Sequence, residues 1–402
     1  MIDPTRPLPR LARLLGMAAL LGVGVAPLPG SWTAARSVRD AARTADLDPS
    51  ERQVEAGGYY QGLIGGGGDA VQGARDDLAL RLLGRPTEWV RFHAADVTER
   101  CEGTFIQFEL KANLDRPLFG RRFTTNSDGM RDRHYPRAKP EGTFRVALLG
   151  SSMDMGWGVA TDETYEQRLE HWLNAHAARV GVARRFEVLN FAVAAYAPAQ
   201  RVESLRLKAA AFDPDLVLYS ATMLDGRLAE IHLHDLLRER VDPRDDYLQR
   251  VAADAGLTES DLRLDAEGNF VRKDVVKAKL RPHQWALIDG SMGLLAADCR
   301  SLGMPLACLI VPRVGQADSP DARASAVARH AGIAARHAIP LIDLSATYDR
   351  LDPTTLEIAP WDDHPNALGH ERLFLGLARA LVRDPALYRE FFGVAPQPRP
   401  TP

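Results

Sequence analysis

The stretch 146–159, VALLGSSMDMGWGV, decides how the rest of the chain is interpreted. Its apolar half is typical of a strand that is buried on both faces of a parallel sheet. The run ends at Gly150, and two serines, Ser151 and Ser152, follow directly. Active sites of open α/β sheets lie at the carboxyl ends of the strands, so this stretch places a hydroxyl where chemistry can occur.

Strands and helices alternate on the C-terminal side of this stretch. Further buried strands are predicted at 186–191, 215–221, 306–311 and 340–344, and helices at 165–176, 199–211, 285–302, 322–337 and 368–382. The first of these helices has Thr161 or Asp162 available as its N-cap. This alternation predicts an α/β fold, with a parallel sheet between two layers of helices. The segment 226–284 is too long for an ordinary loop, so we expect a helical lid inserted over the active edge.

Composition limits the classes of function. With 402 residues, 46% of them hydrophobic and 26% charged, the chain can bury a full core. The formal net charge of −3 and the lack of a long basic run argue against a nucleic-acid partner. The three cysteines, Cys101, Cys299 and Cys308, form no CxxC pair. Cys299 and Cys308 fall in predicted core elements, which favours buried free thiols over a disulfide or metal site.

The N-terminus is predicted to direct export. Arg6, Arg10 and Arg13 precede an apolar run at 14–26. That run is shorter than the roughly 20 residues of a membrane span and suits the core of a signal peptide. No small-x-small cleavage site follows, so residues 1–30 are expected to be a signal peptide or a membrane anchor. We therefore expect a periplasmic or extracellular protein, with membrane attachment through the N-terminus left open.

The remaining segments complete the expected domain organisation. Residues 31–87 are rich in Ala, Arg, Asp and Gly and are expected to be a linker, since their run of four glycines lacks the Lys-Ser/Thr of a phosphate loop. Residues 88–142 combine β-forming runs with the turn signal Asn-Ser-Asp-Gly at 126–129, which predicts a small β-rich lead-in. The main domain is expected at 143–390 and a Pro-rich tail at 391–402.

A second stretch, 361–370 (WDDHPNALGH), supplies the groups that a nucleophilic serine needs. A serine hydroxyl attacks only when a general base takes its proton, and a third group must orient that base. Asp362 stands two residues before His364, so its carboxylate can hold one imidazole nitrogen while the other faces Ser152. Taken singly, such a serine is more often a helix cap and such a histidine more often structural. Together, the two stretches predict a Ser-His-Asp triad.

These motifs resemble those of the SGNH (GDSL-type) hydrolases, an esterase and lipase superfamily with a flavodoxin-like three-layer αβα sandwich. The Gly-Ser-Ser block at 150–152 is similar to the family's Gly-Asp-Ser, and DDHPNALGH is similar to its Asp-x-His-Pro-Asn-x-x-Gly-His. The lead-in FTTNSDGMRDR resembles the segment before the domain in exported bacterial members. The resemblance covers roughly residues 100–385. It implies His364 as base and Asp362 as its orienter. Ser151 takes the place of the family's aspartate, so either serine matches the nucleophile, and the spacing to the Gly-Trp-Gly at 156–158 favours Ser152.

The middle of the chain departs from the family pattern. The resemblance implies that the oxyanion is held by the amides of Ser152 and Ala195, where Ala195 replaces a glycine. It also places Leu224 where the family has an asparagine whose side chain donates to the oxyanion. Such a donor is worth about 3–4 kcal/mol, or roughly 10²–10³ in rate, and Leu224 cannot replace it unless Thr222 or a lid residue does. We expect the pocket to include Ser151, Trp157, Thr222 and Asp225.

Several other polar residues are given structural roles. His232 and His234 could ligate a metal, but no further ligand cluster joins them, so a solvated lid face is favoured. A structural turn is favoured for Arg131 and Asn126 over a role in the site. His370 is expected to cap or pack the final helix. No metal or organic cofactor is expected.

The sequence therefore predicts a serine ester hydrolase that acts on an acyl or acetyl ester of a small molecule or glycan. The predicted location makes acylated cell-envelope carbohydrate the expected substrate. Two alternatives stay open. One is an O-acyltransferase that uses the same triad, and the other is a catalytically weak relative that binds a glycan or a partner.

Overall fold

The computed structural model describes residues 97–118, 120–266, 268–315, 320–359 and 362–395. The predicted leader and linker lie outside these residues, as do the first residues of the predicted lead-in and most of the predicted tail. Among the helices that are described, none is both long and apolar enough to cross a membrane.

Short antiparallel strands flank a longer parallel set in the described part of the chain. The strands are β1 (Thr98–Arg100), β2 (Phe108–Leu110), β3 (Asp115–Leu118), β4 (Arg121–Thr124), β5 (Thr143–Leu149), β6 (Arg185–Asn190), β7 (Leu216–Ala221), β8 (Leu306–Ile310), β9 (Leu341–Asp343), β10 (Glu357–Ala359) and β11 (Asp362–Pro365). The α-helices are α1 (Ser152–Met155), α2 (Tyr165–Arg179), α3 (Pro198–Leu207), α4 (Asp225–Glu239), α5 (Asp246–Asp254), α6 (Lys273–Leu280), α7 (Gln284–Ser301), α8 (Pro320–Arg336), α9 (Ala367–Arg383) and α10 (Pro385–Phe392).

Five parallel strands form the central sheet in the order β6-β5-β7-β8-β9. This is the flavodoxin-like order, in which the first strand of the sheet lies between the second and the third. Successive side chains of β5 point to opposite faces, as the period of a strand requires. Val146 and Leu148 pack with α2, α9 and α10, whereas Ala147 and Leu149 pack with α3, α7 and α8. The predicted three-layer α/β sandwich is therefore confirmed.

The lead-in is attached to the sheet through a buried arginine. Arg145 on β5 is fully buried, and its Nε donates to Glu187 Oε2 on β6 at 2.9 Å. Its other guanidinium nitrogens donate to the carbonyls of Pro136, Arg137 and Phe212 at 2.7–2.9 Å. A buried cation is stable only when it is paired and its donors are satisfied, and these four bonds meet that condition. The antiparallel pairs β1–β2 and β3–β4 precede this attachment.

The segment predicted as a lid consists mainly of helices. It contains α4, α5, α6 and the 3₁₀ turn Arg281–His283. Apolar residues of these helices form a cluster of their own, which also includes Phe105 of the lead-in. The first turn of α4 packs elsewhere, since Leu224 and Leu228 join Trp157 and Val193 near the carboxyl edge of the sheet. The segment thus contacts both the lead-in and the active edge.

The C-terminal end of the domain extends beyond its predicted boundary. The helix α10 includes Phe391 and Phe392, which are both buried in the core, rather than in a tail that begins at 391. Their rings lie 5.5 Å from Phe144 and 5.4 Å from Phe186, respectively. These contacts secure the end of the described chain against the sheet.

Candidate active site

The nucleophile candidate occupies the first position of a one-turn helix at the end of the strand β5. Ser151 is the N-cap of α1 and Ser152 is its first residue. The carboxylate of Asp154 folds back to accept from the Ser151 N–H at 2.8 Å and from the Tyr165 hydroxyl at 2.6 Å. A Cβ atom on Gly150 would lie 2.2 Å from Asp154 Oδ2, which explains the glycine at this position. Contacts among neighbouring residues therefore fix the backbone position of Ser152.

Ser152, His364 and Asp362 form a continuous chain of hydrogen bonds. The hydroxyl Oγ of Ser152 lies 2.8 Å from Nε2 of His364, and His364 Nδ1 lies 2.6 Å from Asp362 Oδ1. With Nδ1 protonated and bonded to the carboxylate, Nε2 can accept the serine proton. Both His364 and Asp362 lie on β11, which pairs with β10 in a short antiparallel ribbon. The geometry is that of a nucleophile, its base and the group that orients the base.

Trp157 contacts Asp362, the last residue in this series of hydrogen bonds. Its indole Nε1 donates to Asp362 Oδ2 at 2.9 Å, and its ring lies 5.7 Å from the His364 ring. Burial tends to raise the pKa of Asp362, but the charge and hydrogen bonds of His364 and the Trp157 bond lower that pKa below its ordinary value. The carboxylate is therefore ionised at neutral pH, as a group that orients an imidazolium must be. Trp157 is thus a buried hydrogen-bond donor as well as a packing residue.

Ala195 and Leu224, which the sequence places near the expected oxyanion, differ in the hydrogen-bond donors that they provide. Ala195 follows β6 and has a φ of +65°, a backbone conformation that glycine adopts far more readily than alanine. It is buried in the same apolar cluster as Trp157 and Leu224. Leu224 lines the cleft beside Ser152, where its side chain has no hydrogen-bond donor. Leu224 therefore places an apolar side chain in the cleft beside Ser152.

A narrow cleft, with a volume of about 10 Å³, opens beside the nucleophile. Its walls are formed by Ser151, Ser152, Met153, Thr222, Leu224, Arg313, Asp363 and His364. Of the predicted pocket residues, Ser151 and Thr222 line it. Asp225 is instead fully buried in an ion pair with Arg201, at 2.7 Å, where it also accepts from the Thr222 hydroxyl at 3.0 Å. Such a volume holds about one water-sized group.

Two charged cleft residues have no counterpart in the sequence-based prediction. Arg313 Nη2 donates to Asp363 Oδ2, and both residues line the cleft. Asp363 is the residue between Asp362 and His364, and Arg313 follows β8 at the carboxyl edge. Functional side chains of α/β sheets gather at the carboxyl ends of the strands. The position of Arg313 just after a predicted strand could therefore have marked it as a site residue. Its partner could not be inferred, since nothing in the sequence brings residue 313 to residue 363.

The lead-in holds the loop that follows the nucleophile. Arg131 is buried, and its guanidinium donates to the carbonyls of Met155 at 2.7 Å, of Gly156 and of Val159. Burial lowers the pKa of Arg131 to about 10, so the group stays charged at neutral pH. Asn126 forms a turn by accepting from the N–H groups of Asp128 and Met130 at 2.9 and 3.0 Å, as its predicted structural role requires. Arg131 thus positions the loop that carries Trp157.

The other histidines have separate structural partners. His232 Nε2 donates to the Phe105 carbonyl at 2.9 Å, and burial lowers the pKa of His232 to about 4. His234 Nδ1 instead bonds to Asp235 Oδ1 at 3.0 Å. His370 lies inside α9 and accepts from the Tyr165 N–H at 3.2 Å, so it joins α9 to the start of α2. His232 and His234 are both buried, so the expectation of a solvated lid face is wrong. The three imidazoles each stabilise a local or inter-element contact.

One group in the described residues has the spacing of metal ligands. Ligand atoms of Asp362, Asp363 and His364 all lie within 4.8 Å of one another. The facing atoms of Asp362 and His364 are already hydrogen-bonded to each other, and Asp363 is paired with Arg313. The chemistry of this group is therefore that of a triad and an adjacent ion pair.

Comparisons with known proteins identify similar folds. No family model and no curated protein matches the chain. Among solved structures, the hydrolase LAE5 from the metagenome of Lake Arreo, Spain, is 16% identical, with a TM-score of 0.37, over 59% of this chain and 94% of that one. TesA is 14% identical, with a TM-score of 0.37, over 59% and 97% of the two chains.

A third similar structure is Axe2, an acetylxylan esterase from Geobacillus stearothermophilus. It is 14% identical, with a TM-score of 0.39, over 59% of this chain and 94% of that one. At these identities the likeness concerns the fold alone.

Proposed function

We propose that this protein is a serine ester hydrolase that acts on short acyl esters. The single observation that carries the proposal is the bonded chain from Ser152 through His364 to Asp362, at 2.8 and 2.6 Å. Ser152 and His364 are 212 positions apart in the sequence, so no local constraint brings their side chains together. Side chains of a nucleophile, a base and an orienting acid in this order perform acyl transfer on several unrelated folds.

The reaction follows from the positions of these atoms. Ser152 Oγ forms a bond to the ester carbonyl carbon while its proton moves to His364 Nε2, and the carbonyl electron pair becomes an oxyanion. Collapse of this intermediate breaks the bond to the alcohol oxygen, which takes the proton from His364. Water then attacks the acyl-serine in the same way, giving the carboxylic acid and free Ser152. Asp362 holds His364 and stabilises the imidazolium in both halves.

The cleft favours a short acyl group. Its volume of about 10 Å³ and its apolar wall of Met153 and Leu224 accommodate a group the size of a methyl. Given the predicted export, we propose acetylated carbohydrate of the cell envelope as the substrate. A sugar hydroxyl that replaces water in the second step would make the same site an O-acyltransferase.

The test compares turnover of p-nitrophenyl acetate, butyrate and octanoate by the wild-type protein and by Ser152→Ala. We expect the rate to fall with acyl length and to fall by at least about 10³-fold in Ser152→Ala, because the nucleophile is lost. Ser151→Ala is the matched control, since Ser151 also lines the cleft but is not bonded to His364.

Equal background rates for the wild type and Ser152→Ala on a broad ester panel would show that the protein is not an esterase. Acetylated xylan and peptidoglycan fragments in that panel test the proposed carbohydrate substrate. Acetyl transfer to an added sugar in place of acetate release would identify the transferase.

A further inference from the structure

The triad leaves one requirement of acyl transfer incompletely met. When Ser152 attacks, negative charge develops on the carbonyl oxygen, and main-chain N–H groups are the donors expected from Ser152 and Ala195. The side chain of Leu224 adds no donor to this site. A missing oxyanion donor costs roughly 10²–10³ in rate, so a second source of charge stabilisation decides whether the site is effective.

Arg313 is the cationic side chain in the wall of this cleft. It lies directly after β8, beside the end of β7, and it lines the cleft together with Ser152, Leu224 and His364. The side chain is only 6% exposed, so it is held away from bulk solvent. The cleft that Ser152 and Arg313 both line has room for about one small group.

The ion pair with Asp363 keeps this guanidinium in place. Asp363 accepts from Arg313 Nη2 and is itself flanked in sequence by the two triad residues of β11. A guanidinium carries five N–H donors in a rigid fork, so it can bond a carboxylate through one side and donate to another oxygen as well. A charged donor that is already oriented in a buried site stabilises a developing anion far more than the same donor does in water.

We propose that Arg313 donates to the carbonyl oxygen of the bound ester and stabilises the oxyanion, in the role that Leu224 cannot perform. Arg313 is then a catalytic residue that touches the reacting atoms, and Asp363 is a positioning residue that acts through it. This inference rests on the proposed ester hydrolysis and names the group that stabilises its transition state.

A purely structural role for Arg313 makes a different prediction. In that case Arg313 serves only to hold its neighbours, among them Asp363 and through it the strand that carries His364. A hydrogen-bond donor introduced at residue 224 would then restore no turnover to Arg313→Met. If Arg313 touches the oxyanion, loss of Arg313 is more harmful than loss of Asp363, because Asp363→Asn leaves the guanidinium in the cleft.

The test measures kcat and KM for p-nitrophenyl acetate in Arg313→Met, Arg313→Lys, Asp363→Asn and the double variant Leu224→Asn/Arg313→Met. We expect Arg313→Met to lower kcat by about 10²-fold with KM changed by less than about threefold, the signature of a transition-state interaction. Arg313→Lys should recover part of this loss and Asp363→Asn should lose less. In the Arg313→Met background, Leu224→Asn should raise kcat about tenfold, because an asparagine side chain on the neighbouring wall of the cleft can donate to the carbonyl oxygen of the ester.

Arg206→Met is the matched control, because Arg206 is also a partly buried arginine in an ion pair, at 2.7 Å from Asp298, but lies outside the cleft. Thermal unfolding of each variant identifies any that fail to fold. Equal kcat losses in Arg313→Met and Asp363→Asn, or no rescue by Leu224→Asn, would overturn the inference while wild-type turnover upholds the esterase. Absence of turnover in the wild type would overturn the proposed function itself.

Discussion

Ala195 shows how a single residue can carry strain at a reactive edge. It follows β6, is buried, and adopts a φ of +65°, which costs an L-residue roughly 1–2 kcal/mol relative to right-handed conformations. The N–H of Tyr196 donates to the Val193 carbonyl at 3.1 Å, so a tight turn enforces this conformation. An alanine at this position of the turn keeps its main-chain N–H donor, as a glycine would.

Ala195→Gly is therefore expected to raise the free energy of unfolding by up to about 1 kcal/mol, because relief of strain exceeds the greater entropy of an unfolded glycine. Ester turnover should stay within about threefold of the wild type, since the main-chain donor remains. Urea unfolding gives the first quantity and p-nitrophenyl acetate the second. The matched control is Ala194→Gly. Ala194 is the neighbouring residue and has no positive φ, so this variant should be less stable than the wild type. Equal destabilisation by both changes would show that Ala195 is not strained.

At this scale the sequence identifies the three side chains that the structure joins by hydrogen bonds, but not the residues around them. The Asp-x-His spacing and a serine after a strand suffice to select Asp362, His364 and Ser152, because local geometry limits what a carboxylate two residues away can reach. The bond from Trp157 to Asp362 spans 205 positions, so its donor role depends on tertiary placement that no local pattern contains. The same holds for Arg313.

The loop after the helix α1 is the element on which the site depends. Gly156 ends α1 with a φ of +77°, and its carbonyl accepts from the buried Arg131 guanidinium. A Cβ atom at Gly156 would lie 2.3 Å from Thr164 Cγ2 and 2.7 Å from Arg131 Nη1. A side chain there would thus displace the arginine that holds the loop carrying Trp157.

Gly156→Ala is expected to lose more stability than the roughly 1–2 kcal/mol that a left-handed alanine alone costs, and also to lower kcat, because Trp157 moves from Asp362. Gly181→Ala separates the two effects, since Gly181 has a similar φ of +74° but a Cβ atom added there would meet nothing within 4 Å. The measurements are urea unfolding and kcat for an acetyl ester. Similar losses for both variants would mean that backbone strain alone, without the clash, explains the glycine.

The sequence predicts the centres of helices and strands more closely than their ends. The strand predicted at 306–311 occupies Leu306–Ile310, a short apolar run that is followed within two residues by Pro312. The helix α2 begins at Tyr165, as predicted, but its cap is Thr164 rather than Thr161 or Asp162. Residues Thr161–Glu163 form a 3₁₀ turn instead. Several polar residues follow one another here, and the sequence alone does not show which of them caps the helix.

At the scale of the whole molecule, a buried group of carboxylates joins the lead-in to the sandwich. Asp132 of the lead-in accepts from Tyr135 at 3.0 Å and from Gln167 on α2 at 2.9 Å. Gln167 also donates to Glu166 at 3.0 Å, and Tyr135 also donates to Glu170 at 3.2 Å. The β-forming runs and the turn signal predicted a lead-in before the domain, but not that acidic side chains would join the two. Such a contact is recognisable only once both surfaces are placed.

Burial, and then the nearby charge of Glu170, raises the pKa of Asp132 to about 7. The folded protein thus keeps a proton that the unfolded chain, with an ordinary aspartate pKa near 4, has already released. Stability contributed by the protonated form is present below about pH 4 and is lost as the pH rises through about 7, at up to roughly 1.4 kcal/mol per pH unit.

We expect Asp132→Asn to flatten this slope, because asparagine does not titrate, so the variant should lose less stability than the wild type between pH 5 and pH 7. Urea unfolding at pH 5, 6, 7 and 8 measures the slope. Asp115→Asn is the control: its bond to Arg122 lowers the pKa of Asp115, which is therefore ionised in both states over this range. An unchanged slope in Asp132→Asn would mean that the proton kept by the folded protein is not held by Asp132.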